Sequence, residues 1–342
     1  MKRFWIVMTI LALFSVLFIG CTPSAESKTD ESNMGKDEGN EEKNENNEKK
    51  NSVNIVAASE LATFLQSITE TEIVKIKVTG DYVDFKNAIS YLKNVTLKID
   101  LDISELNNVP NLFNGFGDSI SLVAITLPKY ITNIGDGAFS GCSSLEKIEL
   151  PYSITCIGNY GFSGCSSLKK IELPYNVTSI GDYGFSKCSS LEKIELSNKV
   201  SYIGAGAFQR CSSLKSILMS NNVTYIGNAA FSNCMSLSDI KLSNKLERIN
   251  QYLFSGCSNL QSVTFLGKVT MIGMYAFYNC NSLTSIEFKD LSNLSSCYSN
   301  GFSGVSPLSD TEKNNLSDPA KAVTLVRKYT EDEKDMYFKY RD

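Results

Sequence analysis

The chain contains no histidine, so a histidine-based triad and a histidine-ligated metal are both closed to it, and the commonest general base is missing. Its single tryptophan, Trp5, lies in the first few residues, which weakens a carbohydrate-binding reading of the rest, although tyrosine is plentiful. Basic clusters are also missing. Lysine and arginine total 33 against 37 acids, a formal net charge of -4, and no stripe of cations runs along the chain. Phosphate backbones are bound by clustered Lys and Arg, so nucleic acid is excluded as a partner. No phosphate loop, kinase signature or G-x-S-x-G elbow occurs, and the ten cysteines include no C-x2-C pair of the kind that builds zinc sites. No cofactor and no metal is expected.

What the chain has instead is a 23-residue period. Ile134, Ile157, Ile180, Ile203, Ile226, Ile249 and Ile272 each open a copy. Five residues on stand Phe139, Phe162, Phe185, Phe208, Phe231, Phe254 and Phe277, and three further on Cys142, Cys165, Cys188, Cys211, Cys234, Cys257 and Cys280. A leucine follows three residues later, from Leu145 to Leu283, with Ile or Val three beyond it. Such self-similarity marks a solenoid, in which no copy buries its apolar side alone and the copies must stack. The segment Leu-x-x-Ile-x-Leu predicts a short strand. Ile148, Ile171 and Ile194 point inward, and Lys147/Glu149, Lys170/Glu172 and Lys193/Glu195 point outward. The run Val177-Thr178-Ser179-Ile180-Gly181 predicts a second short extended piece. Successive strands stack in parallel about 4.8 Å apart.

Residues 1–21 carry two basic residues, an apolar run from Phe4 to Gly20, and Cys21. This is a secretory signal, the run being at the short limit for a membrane span. Leu17-Phe18-Ile19-Gly20-Cys21 resembles a bacterial lipobox, with Phe18 departing from the usual leucine. The resemblance implies lipidation at Cys21 and a mature chain anchored in the membrane by its acyl groups. Residues 22–52 hold nine acids, five bases and almost nothing apolar, so they read as a disordered charged tether. Residues 53–110 lack the repeat and read as an α/β N-terminal cap. The expected elements are a strand at 53–56, a helix capped by Ser59, a strand at 73–78, a helix at 82–92, and a strand at 95–101 that starts the main sheet. A degenerate copy begins near Asn111, with Ser119 in the cysteine slot, and Cys297 fills the slot of a last opening Ile. The solenoid spans 111–304, and 305–342 reads as a C-terminal cap. The fold class is therefore an α/β repeat, mostly β.

The pattern IGxxxFxxCxxLxxIxLPxxVTx, in seven in-register copies, resembles the BspA-like (treponemal-type) leucine-rich-repeat family. The resemblance implies a curved leucine-rich-repeat solenoid on bacterial surface proteins, several of them linked to adhesion to host proteins or other bacteria. It places the chain in the bacterial cell envelope, lipid-anchored at the outer-membrane surface. Departures are local: Asn250 stands in the second-position glycine slot, Met219 in a strand-leucine slot, and the proline after the strand survives at Pro128, Pro151 and Pro174.

One cysteine per turn makes a ladder of core thiols rather than a metal cage. Disulfides between neighbouring rungs are the alternative that Cα spacing leaves open. Stacked Glu149, Glu172 and Glu195 each stand beside a lysine on an open surface, where nothing raises one carboxyl selectively, so no catalytic residue is expected and the protein reads as a non-enzyme. The remaining function is binding, either of a protein (host matrix or bacterial surface) or, less favoured, of a glycan. A structural envelope role without a discrete ligand is the alternative. Copies four to six break the Lys/Glu pattern with Ser216/Leu218, Asp239/Lys241 and Ser262/Thr264, and Tyr202 and Tyr225 are expected on loops leaving nearby strands. The expected partner site centres on Ser216, Leu218, Tyr225, Asp239 and Lys241, with Lys170, Glu172, Lys193 and Glu195 at its rim.

Overall fold

A computed structural model describes residues 53–68, 72–93, 95–110, 115–290, 292–298 and 301–302, and the backbone of 338–340. The signal segment, Cys21 and the tether at 22–52 lie outside the described residues, as does most of the expected C-terminal cap.

The N-terminal cap is a parallel α/β unit. Strands β1 (Val53–Ala57), β2 (Val74–Asp81) and β3 (Ile99–Asn107) pair in that order, and β4 (Leu122–Thr126) joins them to the first good repeat. Helix α1 (Leu61–Ser67) buries Leu61 and Leu65. Its N-cap is Glu60 with no side-chain cap, so Ser59 does not play the role expected of it. Helix α2 (Tyr82–Ala88) starts where the Asp81 carboxylate accepts the Val83 N–H, then tightens into a 3-10 turn, Ile89–Lys93, rather than continuing as one helix to 92. The third strand runs from 99, not 95, and reaches Asn107. Inward Ile99, Leu101, Ile103 and Leu106 carry it, whereas Val95 is only partly buried.

Beyond the cap each turn of the solenoid has three sides. The Leu-x-x-Ile-x-Leu segment builds the main parallel sheet. Two-residue strands ending in the opening Ile build a second parallel sheet, with Asn133–Ile134, Cys156–Ile157, Ser179–Ile180, Tyr202–Ile203 and Tyr225–Ile226 in sequence. The third side is the Phe–Cys turn. It bends by placing one residue in the left-handed region three positions after the opening Ile and another four positions later, such as Gly137 (φ 64°) and Gly141 (φ 76°). Tyr160, Tyr183, Tyr252 and Tyr275 occupy the first of these positions in other copies, a costly conformation for a bulky residue.

The core runs the length of the solenoid. Rings from Phe116 through Phe139 to Phe277 and Phe302 stack at 5.2–5.7 Å. Each buried ring contributes about 1.5–3 kcal/mol by leaving water. The seven ladder cysteines are buried, and each thiol donates to the phenylalanine carbonyl one rung back, as from Cys188 to Phe162 at 3.1 Å and Cys211 to Phe185 at 3.0 Å. At the far end Cys297 pairs beside Ile272 in the second sheet and Phe302 stacks on Phe277, so that last half-copy keeps the register read from the sequence. Strand Phe338–Tyr340 adds to the main sheet beside Ile286–Phe288.

The two sheets are not continuous. In the main sheet strands Lys147–Glu149 and Lys193–Glu195 flank residues 170–172, which form no strand and only one bridge, Lys170 to Lys193. Parallel register puts Lys147, Lys170 and Lys193 in one column and their glutamates in another, and like charges directly across a ladder oppose pairing.

A second interruption cuts both sheets between the same two turns. Strands Ser216–Leu218 and Asp239–Leu242 belong to separate main sheets, and Tyr225–Ile226 and Arg248–Ile249 to separate second sheets. Asn250 explains the second of these breaks. In the neighbouring copies the glycine after the opening Ile donates its N–H to the Ile one rung back, as Gly227 does to Ile203 at 2.8 Å and Gly273 to Ile249 at 2.7 Å. A Cβ on those glycines would stand 2.3–2.8 Å from a backbone nitrogen of the preceding rung. At position 250 a side chain is present, so the backbone stands off and the Asn250 Nδ2 donates to Ile226 in place of the N–H, at 2.6 Å.

Candidate partner-binding face

The outward face of the main sheet is built from alternate residues of each strand. In copies one to three it is a charge lattice: Lys147–Glu149 (2.9 Å) and Lys170–Glu172 (2.6 Å) form ion pairs within their own segments, as do Lys193 and Glu195. Each hydrogen bond holds the charged form, so the Lys147 and Lys170 ammoniums are pushed up and the Glu195 carboxyl is pulled down. These groups are open to solvent, so the pairs add little stability. Lys215 reaches back to Glu192 at 2.8 Å. Two shallow grooves, of about 570 and 480 Å3, lie on either side of the strandless 170–172 segment, the larger lined by Lys170, Glu172, Lys193 and Glu195.

The lattice stops at the next strand. Ser216 takes the place of the lysine and Leu218 that of the glutamate, paired in register with Lys193 and Glu195. Leu218 is 61% exposed. Asp239 and Lys241 occupy the same two positions one copy on, both exposed. The fold thus brings Ser216, Leu218, Asp239, Lys241, Lys170, Glu172, Lys193 and Glu195 onto one face. It does not bring Tyr225 there. Tyr202 and Tyr225 lie in strands of the second sheet rather than on loops, where their rings stack at 5.1 Å and each is 41% exposed.

Two features escaped the sequence reading. One is a polar ladder two residues after the opening Ile: the Asn159 N–H donates to Asp136, the Asp182 N–H to Asn159 and the Ala205 N–H to Asp182, at 2.7–2.8 Å. Recurrence of Asp or Asn at the repeat period was its signal. The other is the structural consequence of Asn250, visible in sequence only as a departure from glycine. Among the described residues no cluster of three or more His, Cys, Asp or Glu is placed to hold a metal ion, and no helix is long and apolar enough to cross a membrane. All nine cysteines among the described residues are free thiols; Cys156 is half-buried and accepts the Ser179 hydroxyl at 3.3 Å.

A stack of turns with a parallel main sheet, a two-residue second sheet and a Phe–Cys turn defines a leucine-rich-repeat solenoid. The chain belongs to the BspA type leucine rich repeat family, which matches residues 113–237 and 226–318 with six copies. Repeats of this kind are protein-interaction scaffolds. A leucine rich repeat protein of T. pallidum is 32% identical, over 47% of this chain and 78% of its own, with a TM-score of 0.45. A leucine-rich repeat protein of Eubacterium ventriosum is 24% identical, over 69% of this chain and 70% of its own, with a TM-score of 0.48. One from Bacteroides ovatus is 22% identical, over 85% and 92% respectively, with a TM-score of 0.40. No curated protein matches the chain.

Proposed function

We propose that this is a lipid-anchored protein of the bacterial cell envelope that captures a protein partner, on host matrix or another bacterium, through the outward face of its main sheet. The observation that carries the reading is Leu218. It is the large apolar side chain left open where the Lys/Glu lattice ends, with polar Ser216, Asp239 and Lys241 around it. An apolar centre with a polar rim is the composition of a binding hot spot, and the lattice on one side supplies that rim. The balanced charges of copies one to three give weak steering and little affinity of their own.

Leu218→Asp should abolish capture of immobilised matrix proteins and of bacterial cells while leaving the thermal transition in place, because the side chain makes no core contact. Glu172→Lys should act weakly. If both variants bind as wild type does, this face is not the site and a spacer role without a discrete ligand gains. The anchor rests on the lipobox-like segment ending in Cys21. Replacing Cys21 with Ala should leave an unprocessed or soluble product, and labelled fatty acid on that variant would refute the anchor.

A further inference from the structure

We propose that the cleft opened by Asn250 in the second sheet is a binding site for a carboxylate-bearing sugar, separate from the protein-binding face and independent of it. The cleft has a volume of about 320 Å3 and is lined by Thr224, Tyr225, Lys245, Glu247, Arg248 and Asn250, with Ile226 and Leu246 in its floor. That is the low end of small-ligand pockets, a space for a ligand of one or two rings.

One backbone bond that the neighbouring turns make is missing here. Across the intact second sheet the Thr224 N–H donates to Ser201 at 2.9 Å and the Thr270 N–H to Glu247 at 2.7 Å. Between them the equivalent bond, from the Glu247 N–H to the Thr224 carbonyl, is not made among the described residues, which leaves one donor and one acceptor facing the gap. Asn250 is only 8% exposed and uses its Nδ2 on Ile226; its Oδ1, with no partner among the described residues, is open to solvent. The Arg248 guanidinium, always charged, makes its contact with the thioether of Met271 at 3.1 Å and no ion pair with any described carboxylate. Lys245 is tied to Asn222 at 2.7 Å and adds a second positive charge to the rim, against one negative charge from Glu247, so the cleft keeps a net positive charge.

Donors and acceptors in alternation suit the hydroxyls of a pyranose, whose every oxygen both donates and accepts. Tyr225, held flat by its stack on Tyr202, lines the cleft and offers a face for the ring's C–H groups. An unpaired Arg248 selects a sugar that carries a carboxylate, for which the guanidinium fork is the matched partner. A neutral sugar leaves that charge unanswered.

The test uses the full chain with a glucuronate-containing disaccharide and a sialylated lactose as probes and lactose as the neutral comparator, followed by calorimetry and saturation-transfer NMR. At least one acidic probe should bind saturably and at least tenfold more tightly than lactose. Arg248→Ala should weaken it at least tenfold while leaving the fold intact. Asn250→Gly restores the repeat's own residue, so it should close the ladder, protect the Glu247 amide from hydrogen exchange and abolish binding without lowering the melting temperature. Lys193→Ala, on the other face, should bind as wild type does. The proposal is overturned if neither acidic probe binds at millimolar concentration, if lactose binds equally well, or if acidic binding survives both Arg248→Ala and Asn250→Gly.

Discussion

Removing the hydroxyl of Ser119 should stabilise the protein. Ser119 fills the slot that seven later copies give to cysteine, and it is fully buried. The cysteine thiols have long enough arms to reach a carbonyl one rung back, as Cys142 reaches Phe116 at 2.9 Å. The shorter Ser119 Oγ reaches nothing and is the one buried side-chain polar atom among the described residues without a hydrogen bond. A buried, unpaired hydroxyl costs about 1–3 kcal/mol. Ser119→Ala removes that cost and leaves a void of about one oxygen atom, on the order of 10 Å3, which at about 24 cal/mol per Å3 returns only a few tenths of a kcal/mol. The net gain is then about 1–2 kcal/mol, or a rise of roughly 2–8 °C in melting temperature for an array of this size. Differential scanning calorimetry of the wild type and Ser119→Ala, with Ser119→Cys as the isosteric restoration of the ladder, reads it directly. A fall in melting temperature for Ser119→Ala would show that the hydroxyl is bonded after all, and the accounting of the slot would be wrong.

The other predictions concern the thiols. Maleimide should label Cys156 in the native protein and reach Cys142 to Cys280 only after denaturation; rapid labelling of several ladder positions would refute their burial. Burial pushes the Cys142, Cys280 and Cys297 thiols up from 9.0 to about 12, and those of Cys165, Cys188, Cys211, Cys234 and Cys257 well above 9.0 as well. Below pH 9 both folded and unfolded chains keep these protons, so this stability is fully present there. Above it the unfolded chain ionises first, and stability falls by about 1.4 kcal/mol per thiol per pH unit until the folded-state values are reached. The urea midpoint should therefore drop steeply above pH 9, and Cys188→Ala should make the drop shallower; an equal slope in both would refute the linkage.

The repeat carried almost all of the architecture because each of its positions has one steric job. Phe and Cys at fixed spacing can be satisfied only by stacking on their own equivalents, so the ladder, its burial and the slot filled by Cys297 were all readable. Elements that depend on local competition were less so. The end of α2 at Ala88 and the late start of β3 have no counterpart in the spacing of the apolar residues. Ser59 had the chemistry of a cap but stood one residue from the cap position. The charged face was legible residue by residue, yet the register that stacks Lys170 on Lys193 is a property of the parallel sheet, and only in the fold does it become a reason for residues 170–172 to form a single bridge and no strand. The sequence puts Tyr225 on a loop leaving a strand near Leu218. Seven residues are enough to turn the chain onto the second sheet.

Leu218, Asn250 and the break in both sheets fall between the same two turns, and the energetics of a solenoid make that an intelligible place for them. Stability in a repeat array is close to a sum of turn and neighbour terms, so one poor interface is tolerated when the interfaces on either side are good. Here the third side stays intact: Ala229, Phe231 and Asn233 still donate to Gln251, Leu253 and Ser255, and Phe231 stacks on Phe254 at 5.6 Å. Each ladder bond given up costs on the order of 0.5–1.5 kcal/mol, a loss the Phe–Cys spine can carry. What is obtained in return is surface that no regular turn offers, with open backbone groups on one sheet and an apolar side chain on the other. Recognition needs such unsatisfied and uneven surface, whereas a uniform stack has none to give. Asn250→Gly separates the two roles, because it should strengthen the scaffold and remove the cleft while leaving Leu218 where it is.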